Sequence, residues 1–142
     1  MKEKVQSALD NYVLAYSTND KDLFLTLWDA SAIFEDPVGA APCEGIQAIS
    51  EFWDFGHVEG MTITPTNVKT TICSNEGILQ ASMEIRNTID NTGMSIAIVD
   101  HFVINEKGKI ISGRAFWADS SISPLADTQP SEINLDDFKN RT

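Results

Sequence analysis

The sequence predicts an α+β fold, with three helices first and a curved antiparallel sheet after them. Up to Phe55 most apolar residues recur at helical spacings, whereas from Met61 onward the chain has the β-branched, alternating character of strands. Turns rich in Asn and Gly divide this second part into consecutive hairpins. Helices followed by a run of hairpins are typical of helices packed on one face of an antiparallel sheet.

Three amphipathic segments predict the helices. Residues 4–17 carry apolar side chains at spacings of three and four, with Tyr12 in the centre of the apolar stripe. Asp20 is a candidate N-cap for a second helix that continues to Trp28. We expect the third helix at 46–55, with Phe52 and Trp53 facing inward.

The strands follow from alternation and from the turns that bound it. A short strand is expected at 32–36, because the residue before Pro37 favours extended backbone. Pro65 suits an edge or a bulge of the first long strand. The four long strands are expected at 61–73, 78–89, 95–105 and 109–118. We assign 1–120 to one domain and 121–142 to an acidic C-terminal tail, surface-running or partly disordered.

Size and composition favour one globular domain, and its charge argues against two classes of partner without selecting a substrate. The chain has 142 residues, of which 42% are hydrophobic. Its net charge of -11 argues against a nucleic-acid partner and against anionic membrane surfaces. No apolar run is long enough to span a bilayer, and the first residues lack the apolar core of a signal peptide. Cys43 and Cys73 have no metal-ligand spacing, so we expect a cytoplasmic protein without a metal site.

One strand carries a carboxylate among hydrophobic residues. Asp100 shares a face with four large apolar side chains in the segment 96–104. Burial there favours the neutral acid, which is a hydrogen-bond donor. The alternative is that Asp100 lies at a solvated point of the strand. On this strand alone both interpretations stay open.

Tyr12, Asp36 and Asp100 are expected to converge on one cavity. Tyr12 is expected on the helix face that is directed at the sheet, Asp36 at the end of the short strand, and Asp100 in the middle of the sheet. Each residue also has an ordinary structural explanation, since Tyr12 suits the core and Asp36 suits a turn. The combination points to a functional site.

The last hairpin is expected to add walls to this cavity. If Asn105 faces Gly108, then Asp100 faces Gly113, Ile98 faces Ala115, and Trp117 is placed to stack on a ligand or to fill the core. A slip of one residue would instead place Arg114 beside Asp100 as an ion pair. The candidate substrate-binding residues are Phe52, Trp53, Ile98, Gly113, Ala115 and Trp117.

Several motifs in order resemble one enzyme family. These are Tyr12-Val13, Glu35-Asp36-Pro37-Val38-Gly39 with Pro42 and Gly45, Ile49-Ser50-Glu51-Phe52-Trp53, Asp100-His101-Phe102, Gly108-Lys109 and Arg114-Ala115. Together they resemble bacterial ketosteroid isomerases (steroid Δ-isomerases) from about residue 8 to residue 118. That family has the cone-shaped fold of the NTF2-like and SnoaL-like superfamily, which agrees with three N-terminal helices on the concave face of the sheet.

The resemblance implies a reaction and assigns roles to matching residues. It implies an isomerase without a cofactor that shifts a double bond into conjugation with a ketone, in a 3-oxo-Δ5-steroid or similar enone. Asp36 matches the general base, and Tyr12 and Asp100 match the two donors to the enolate oxygen, Asp100 as a neutral acid. It also implies a homodimer, formed through the outer face of the sheet around Val99 and His101.

The sequence departs from the family pattern at three places. Trp28 and Trp53 stand where some members have tyrosines, and an indole N–H donates but does not accept hydrogen bonds. Gly113 stands where a bulkier apolar pocket residue is expected, which predicts a wider or a reshaped cavity. The strand 78–89 is more polar than a steroid-facing wall unless its polar set faces outward.

Two other functions are compatible with the same fold. One is an enzyme of different chemistry, polyketide-cyclase-like or dehydratase-like. A dehydratase would use a histidine in the cavity, but His101 is expected to face away from Asp100 and His57 to lie beyond the third helix. The other is a non-catalytic protein that binds a hydrophobic ligand.

Overall fold

The computed structural model describes residues 1–131, and the remainder of the predicted tail, 132–142, lies outside the described residues. The elements are α1 (Lys2–Ser17), α2 (Lys21–Thr26), β1 (Trp28–Glu35), β2 (Cys43–Glu44), α3 (Ile46–Gly56), β3 (Met61–Cys73), β4 (Glu76–Asn87), β5 (Thr92–Ile104), β6 (Ile110–Phe116), a 3-10 turn (Asp119–Ser121), β7 (Ile122–Ser123) and β8 (Gln129–Pro130). Within 1–131, no helix has the length and hydrophobicity needed to cross a membrane.

The helices begin and end close to the predicted positions. Asp20 caps α2 as predicted, because its carboxylate accepts the backbone N–H of Leu23 at 3.0 Å. The expectation that this helix continues to Trp28 is wrong. Trp28 is the first residue of β1 and pairs with Ile110 of β6. Because its backbone belongs to the sheet, α2 ends earlier, at Thr26.

The sheet is mixed, which corrects the expectation of a purely antiparallel one. Its path runs β2-β1-β6-β5-β4-β3, with β7 and β8 added beside β5. The pairs β6–β5, β5–β4 and β4–β3 are antiparallel hairpins, whereas β1 lies parallel to β6. The α+β class and the helices packed against a curved sheet are as predicted.

Strict alternation along β4 explains its polar residues. Leu79, Ala81, Met83 and Ile85 are buried under the helices, while the polar residues between them lie on the other face. The polar set therefore faces outward, so β4 presents an apolar wall to the interior. Pro65 lies on β3, the edge strand of the main path, as predicted.

Helix α1 packs closely on the sheet at a glycine. A Cβ atom at Gly77 would stand 2.8 Å from Leu9 Cδ1 and 3.0 Å from Val5 Cγ1, distances that leave no room for a side chain. Glycine thus permits the close contact between α1 and β4. The next turn of α1 carries Tyr12, whose ring packs against Phe102 of β5 at a centroid distance of 4.9 Å.

The register of the β5–β6 hairpin differs by two residues from the prediction. Asp100 lies opposite Ala115, and Gly113 lies opposite Phe102. One residue of the difference comes from the turn, where Asn105 N–H bonds to the carbonyl of Lys109. The other comes from an irregularity of the ladder between Val103 and Ile104. A shift of two preserves which side chains face inward, so Arg114 stays on the outer face.

The first part of the predicted tail is attached to the sheet. Ile122 pairs with Ile96 in an antiparallel bridge, and Gln129 pairs with Thr92 in a parallel one. Leu125 between them is buried. Residues 121–131 therefore do not form a loose tail, and they extend the fold past the boundary predicted at residue 120.

Candidate active site

A cavity of about 340 Å³ lies between the helices and the inner face of the sheet. This volume falls within the range of small-molecule sites. Its walls are predominantly apolar, with few polar groups. The lining residues are Tyr12, Tyr16, Asp36, Phe52, Trp53, Phe55, Gly56, His57, Val58, Met61, Ile63, Met83, Ile85, Ile96, Ile98, Asp100 and Trp117.

The three predicted polar residues line this one cavity. Helix α1 supplies Tyr12, the end of β1 supplies Asp36 and the middle of β5 supplies Asp100. Each comes from a different element, so the fold brings them together. The three side chains therefore line one cavity, as the sequence analysis predicted.

Asp100 is the one acidic or basic side chain in the buried set of the described chain, with 3% of its surface exposed. Its Oδ1 atom is buried and has no hydrogen-bond partner among residues 1–131. Burial raises the pKa of this carboxyl well above its ordinary value, and the nearby charge of Asp36 raises it further. The ion pair with Arg114 does not form, since Arg114 Nε lies 3.2 Å from Glu35 Oε1 on the outer face. The geometry favours the neutral acid, which carries a proton that it can donate.

Tyr12 is almost fully buried, with 2% of its surface exposed. Burial raises the pKa of its phenol well above the ordinary value, followed by the effects of Tyr16, Asp100 and Asp36. The hydroxyl therefore stays protonated and is a hydrogen-bond donor at neutral pH. Rings of Phe24 and Phe102 at 5.8 and 4.9 Å hold the phenol in place.

Asp36 follows the last residue of β1 and precedes a cis peptide bond to Pro37. It is half-buried at the cavity wall. The indole Nε1 of Trp117 donates a hydrogen bond of 2.6 Å to Asp36 Oδ1. A charge-assisted bond of this kind orients the carboxylate. Trp117 thus lines the cavity and also holds a hydrogen bond to Asp36.

Four of the six predicted substrate-binding residues line the cavity, and two do not. Phe52, Trp53, Ile98 and Trp117 are in the lining, whereas Gly113 and Ala115 are absent from it. The predicted widening at Gly113 is wrong. A Cβ there would lie 3.0 Å from both Phe34 Cδ1 and Trp28 Cη2, so aromatic rings of the core occupy that space.

Two polar residues of the cavity were missed by the sequence analysis. Tyr16 lies one helical turn after Tyr12, with ring centroids 5.2 Å apart, and a hydrogen bond between the two hydroxyls contributes to the raised pKa of Tyr12. Burial raises the pKa of Tyr16 as well. The i, i+4 spacing was the available signal. The hydroxyl of Tyr16 can both donate and accept a hydrogen bond beside Tyr12, whereas the indole of Trp53 can only donate one.

His57 was expected to lie away from the cavity, and that expectation is wrong. It is the C-cap residue that directly follows α3. Its ring stacks on that of Trp53, with centroids 3.9 Å apart and an interplanar angle of 11°. It lines the cavity. His101, by contrast, lies on the outer face as predicted, with Nε2 2.6 Å from Glu76 Oε1.

The described part of the chain contains no cluster of three or more His, Cys, Asp or Glu side chains suited to a metal ion. The polar groups that line the cavity include the buried Tyr12 and Asp100, the carboxylate of Asp36 and the imidazole of His57. Such a set can remove a proton from carbon and stabilise the oxygen anion that results.

Comparison with known proteins agrees with the fold. A family model described as SnoaL-like domain matches residues 9–113. The chain is 29% identical over 121 residues to a protein of Nocardioides simplex named steroid Delta-isomerase, covering 83% of this chain and 93% of that protein.

Two solved structures are similar to it. The epoxide hydrolase/cyclase-like enzyme SalBIII, described in pyran ring formation in polyether salinomycin, aligns with a TM-score of 0.73 and 26% identity, over 87% of this chain and 98% of its own. RV0760c from Mycobacterium tuberculosis aligns with a TM-score of 0.69 and 17% identity, over 84% and 98%. The second likeness concerns the fold alone.

Proposed function

This chain belongs to the SnoaL-like domain family, and from that premise we propose that it is a cofactor-independent isomerase that moves a carbon–carbon double bond into conjugation with a ketone. The observation that carries the proposal is that Tyr12, Asp36 and Asp100 line one apolar cavity in which both Tyr12 and Asp100 are buried. The proposed substrate is a 3-oxo-Δ5-steroid or a similarly flat hydrophobic enone. The apolar lining and the similarity to a steroid Delta-isomerase support that choice.

The proposed reaction has two proton transfers. Asp36 takes a proton from the carbon between the carbonyl and the double bond, and the C–H electron pair moves so that the carbonyl oxygen becomes a dienolate oxygen. Asp36 then returns the proton to the far carbon of the original double bond, and the carbonyl re-forms. Atoms and electrons balance without an external reagent.

The two buried donors act on charge that exists only during the reaction. The hydroxyl of Tyr12 and the protonated carboxyl of Asp100 donate to the carbonyl oxygen as it becomes negative. Fixed donors in a dry site stabilise such an anion far more than water does, since they need no reorganisation. The buried Oδ1 of Asp100 supports this role, because it has no hydrogen-bond partner among residues 1–131.

The test follows the rise in ultraviolet absorbance as a conjugated enone forms from a 3-oxo-Δ5-steroid. Asp36→Asn should lower the rate by about 10²- to 10⁴-fold, the usual contribution of a general base. Asp10→Asn is the matched control, because Asp10 is an exposed carboxylate of α1 two residues before Tyr12. Unchanged turnover in Asp36→Asn would refute the assignment of the base.

A second candidate is an enzyme of the same family with a different acid–base chemistry, dehydratase-like or cyclase-like. His57 in the cavity favours it, because it adds an imidazole that the isomerisation does not use. The likeness to an epoxide hydrolase/cyclase-like enzyme is a further argument. Turnover of a β-hydroxy ketone to the unsaturated ketone, with none of the enone isomerised, would favour this candidate. A ligand that binds and is recovered unchanged would favour a non-catalytic binding protein.

We also propose that the chain forms a homodimer through the outer face of the sheet. Val99 of β5 lies opposite Phe116 of β6, and both are more than a third exposed. Ile33 on β1 adds to this exposed apolar surface. Light scattering should give a dimeric mass, and Phe116→Arg should shift it to the monomer. A monomeric mass of the unmodified protein at micromolar concentration would refute the dimer.

A further inference from the structure

His57 is held in one orientation by three contacts. Its Nδ1 lies 2.8 Å from the carbonyl oxygen of Trp53. This carbonyl belongs to the last turn of α3, where carbonyl groups have no partner within the helix. Its ring stacks on the indole of Trp53 and lies 5.7 Å from the ring of Tyr16. The side chain is therefore rigid, and its second nitrogen has a fixed position.

The bond to the carbonyl determines which nitrogen carries the proton. A carbonyl oxygen only accepts, so Nδ1 must be the donor, and in the neutral ring Nε2 is then a bare acceptor. Burial lowers the pKa of His57 and favours this neutral form, although the bond to Trp53 and the charge of Asp54 act in the opposite direction. Nε2 is buried and has no hydrogen-bond partner among residues 1–131.

The isomerisation leaves this acceptor without a role. Asp36 moves the proton, while Tyr12 and Asp100 bind the oxygen. The ring of Tyr16 is a neighbour of both Tyr12 and His57, with centroid distances of 5.2 and 5.7 Å. A buried acceptor in an apolar wall is unfavourable unless a ligand group satisfies it.

We propose that His57 is a specificity-determining residue whose Nε2 accepts a hydrogen bond from a hydroxyl of the substrate, remote from the ketone. This inference rests on the proposed isomerase function and narrows its substrate class to hydroxylated enones. A ketone or a hydrocarbon at the same position cannot donate and leaves Nε2 unpaired. A site built to pair a substrate hydroxyl discriminates against the analogue that lacks it.

The experiment compares two 3-oxo-Δ5-steroids, one with a hydroxyl on the ring farthest from the ketone and one without it. The unmodified protein should turn over the hydroxylated compound with a kcat/KM about threefold to tenfold higher, the factor that one neutral hydrogen bond provides. His57→Phe keeps a flat ring against Trp53 but removes the acceptor, and the ratio should fall to about one. His57→Gln retains an acceptor oxygen and should restore part of the preference.

The matched control is His101→Gln, since His101 is the second histidine of the chain and lies on the outer face. It should leave the ratio between the two substrates unchanged. Equal turnover of both compounds by the unmodified protein, or a ratio unaffected in His57→Phe, overturns the inference while the isomerase function stands. Loss of both activities alike in His57→Phe also overturns it, because it would give His57 a part in the chemistry.

Binding of the saturated ketosteroids, with and without the hydroxyl, separates this inference from the isomerase proposal. Trp53 and Trp117 line the cavity, so quenching of tryptophan fluorescence reports binding without turnover. If no enone is isomerised but the hydroxylated ketosteroid binds more tightly and loses that advantage in His57→Phe, the proposed function fails and His57 retains its role. Equal affinities of the two ketosteroids in the unmodified protein count against His57.

Discussion

The protonation of Asp100 has a direct consequence for stability. The pKa of this carboxyl is raised in the folded protein because burial disfavours its charged form. In the unfolded chain the same carboxyl is solvated and ionises near its ordinary value. Between these two pKa values the folded state holds one proton more than the unfolded state, so the free energy of unfolding falls as the pH rises.

Asp100→Asn removes this titration and keeps a side chain of similar shape. Below the ordinary pKa of aspartate the full stability of the protonated form is present in the unmodified protein. Above it, the unmodified protein loses about 1.4 kcal/mol per pH unit relative to the variant, until the pH reaches the raised pKa. If Asp100 is neutral at pH 7, as the proposed mechanism needs, the difference changes by about 3 kcal/mol between pH 5 and pH 7.

Urea unfolding followed by tryptophan fluorescence measures this difference at several pH values. Other titrating groups are common to both proteins and cancel in the comparison. Asp10→Asn, an exposed carboxylate on α1, should show no such change over the same range. A difference between the unmodified protein and Asp100→Asn that stays constant from pH 5 to pH 7 would refute the neutral carboxyl and its role as a donor.

Three further substitutions test single contacts. Tyr12→Phe should lower kcat by about 10²- to 10³-fold with little change in KM, since it removes one donor to the oxygen anion. Trp117→Phe should lower kcat by about tenfold, because the 2.6 Å bond to Asp36 is lost while the aromatic wall remains. Gly113→Ala should destabilise the protein by about 1–3 kcal/mol in urea unfolding without weakening ligand binding, since its Cβ would press on core rings at 3.0 Å.

Each of these has an outcome that counts against the reasoning. For Tyr12→Phe, an unchanged kcat would mean that the phenol does not act on the reacting oxygen. For Trp117→Phe, a raised KM with unchanged kcat would mean that the indole only contacts the substrate. For Gly113→Ala, weaker ligand binding at unchanged stability would place Gly113 at the cavity after all.

Local patterns predicted most of the helices and strands, and they also predicted the inward face of Asp100. Alternation along β5 is a property of the backbone, so it holds in any register. The cap at Asp20 and the edge position of Pro65 depend on a few neighbouring residues and were predicted for the same reason. Tyr12 and Asp36 were predicted at the site from their places on a helix face and at a strand end, and the motifs that resemble a known family supplied their roles.

Features that depend on distant parts of the chain were not predictable in this way. The parallel pairing of β1 with β6 joins segments that no local pattern relates. The longer turn and the irregularity beside Val103 each moved the hairpin register by one residue, which took Gly113 away from Asp100. The packing of Trp28 into the space beside Gly113 depends on both changes.

His57 shows the same limit at the site itself. Its place in the cavity is set by the end of α3 and by the bond from its ring to the Trp53 carbonyl. Sequence position beyond a helix does not reveal the direction in which the chain leaves it. The stacking of His57 on Trp53 is therefore known only from the structure.

The proton transfer by Asp36 is the central claim, and an isotope label tests it most directly. A 3-oxo-Δ5-steroid is deuterated at the carbon between the ketone and the double bond, and the conjugated product is examined by mass spectrometry and NMR. Transfer by one carboxylate predicts that deuterium appears at the far carbon of the original double bond, with a rate that collapses in Asp36→Asn. A product that carries only solvent hydrogen at that carbon, or no conjugated product at all, would contradict the account.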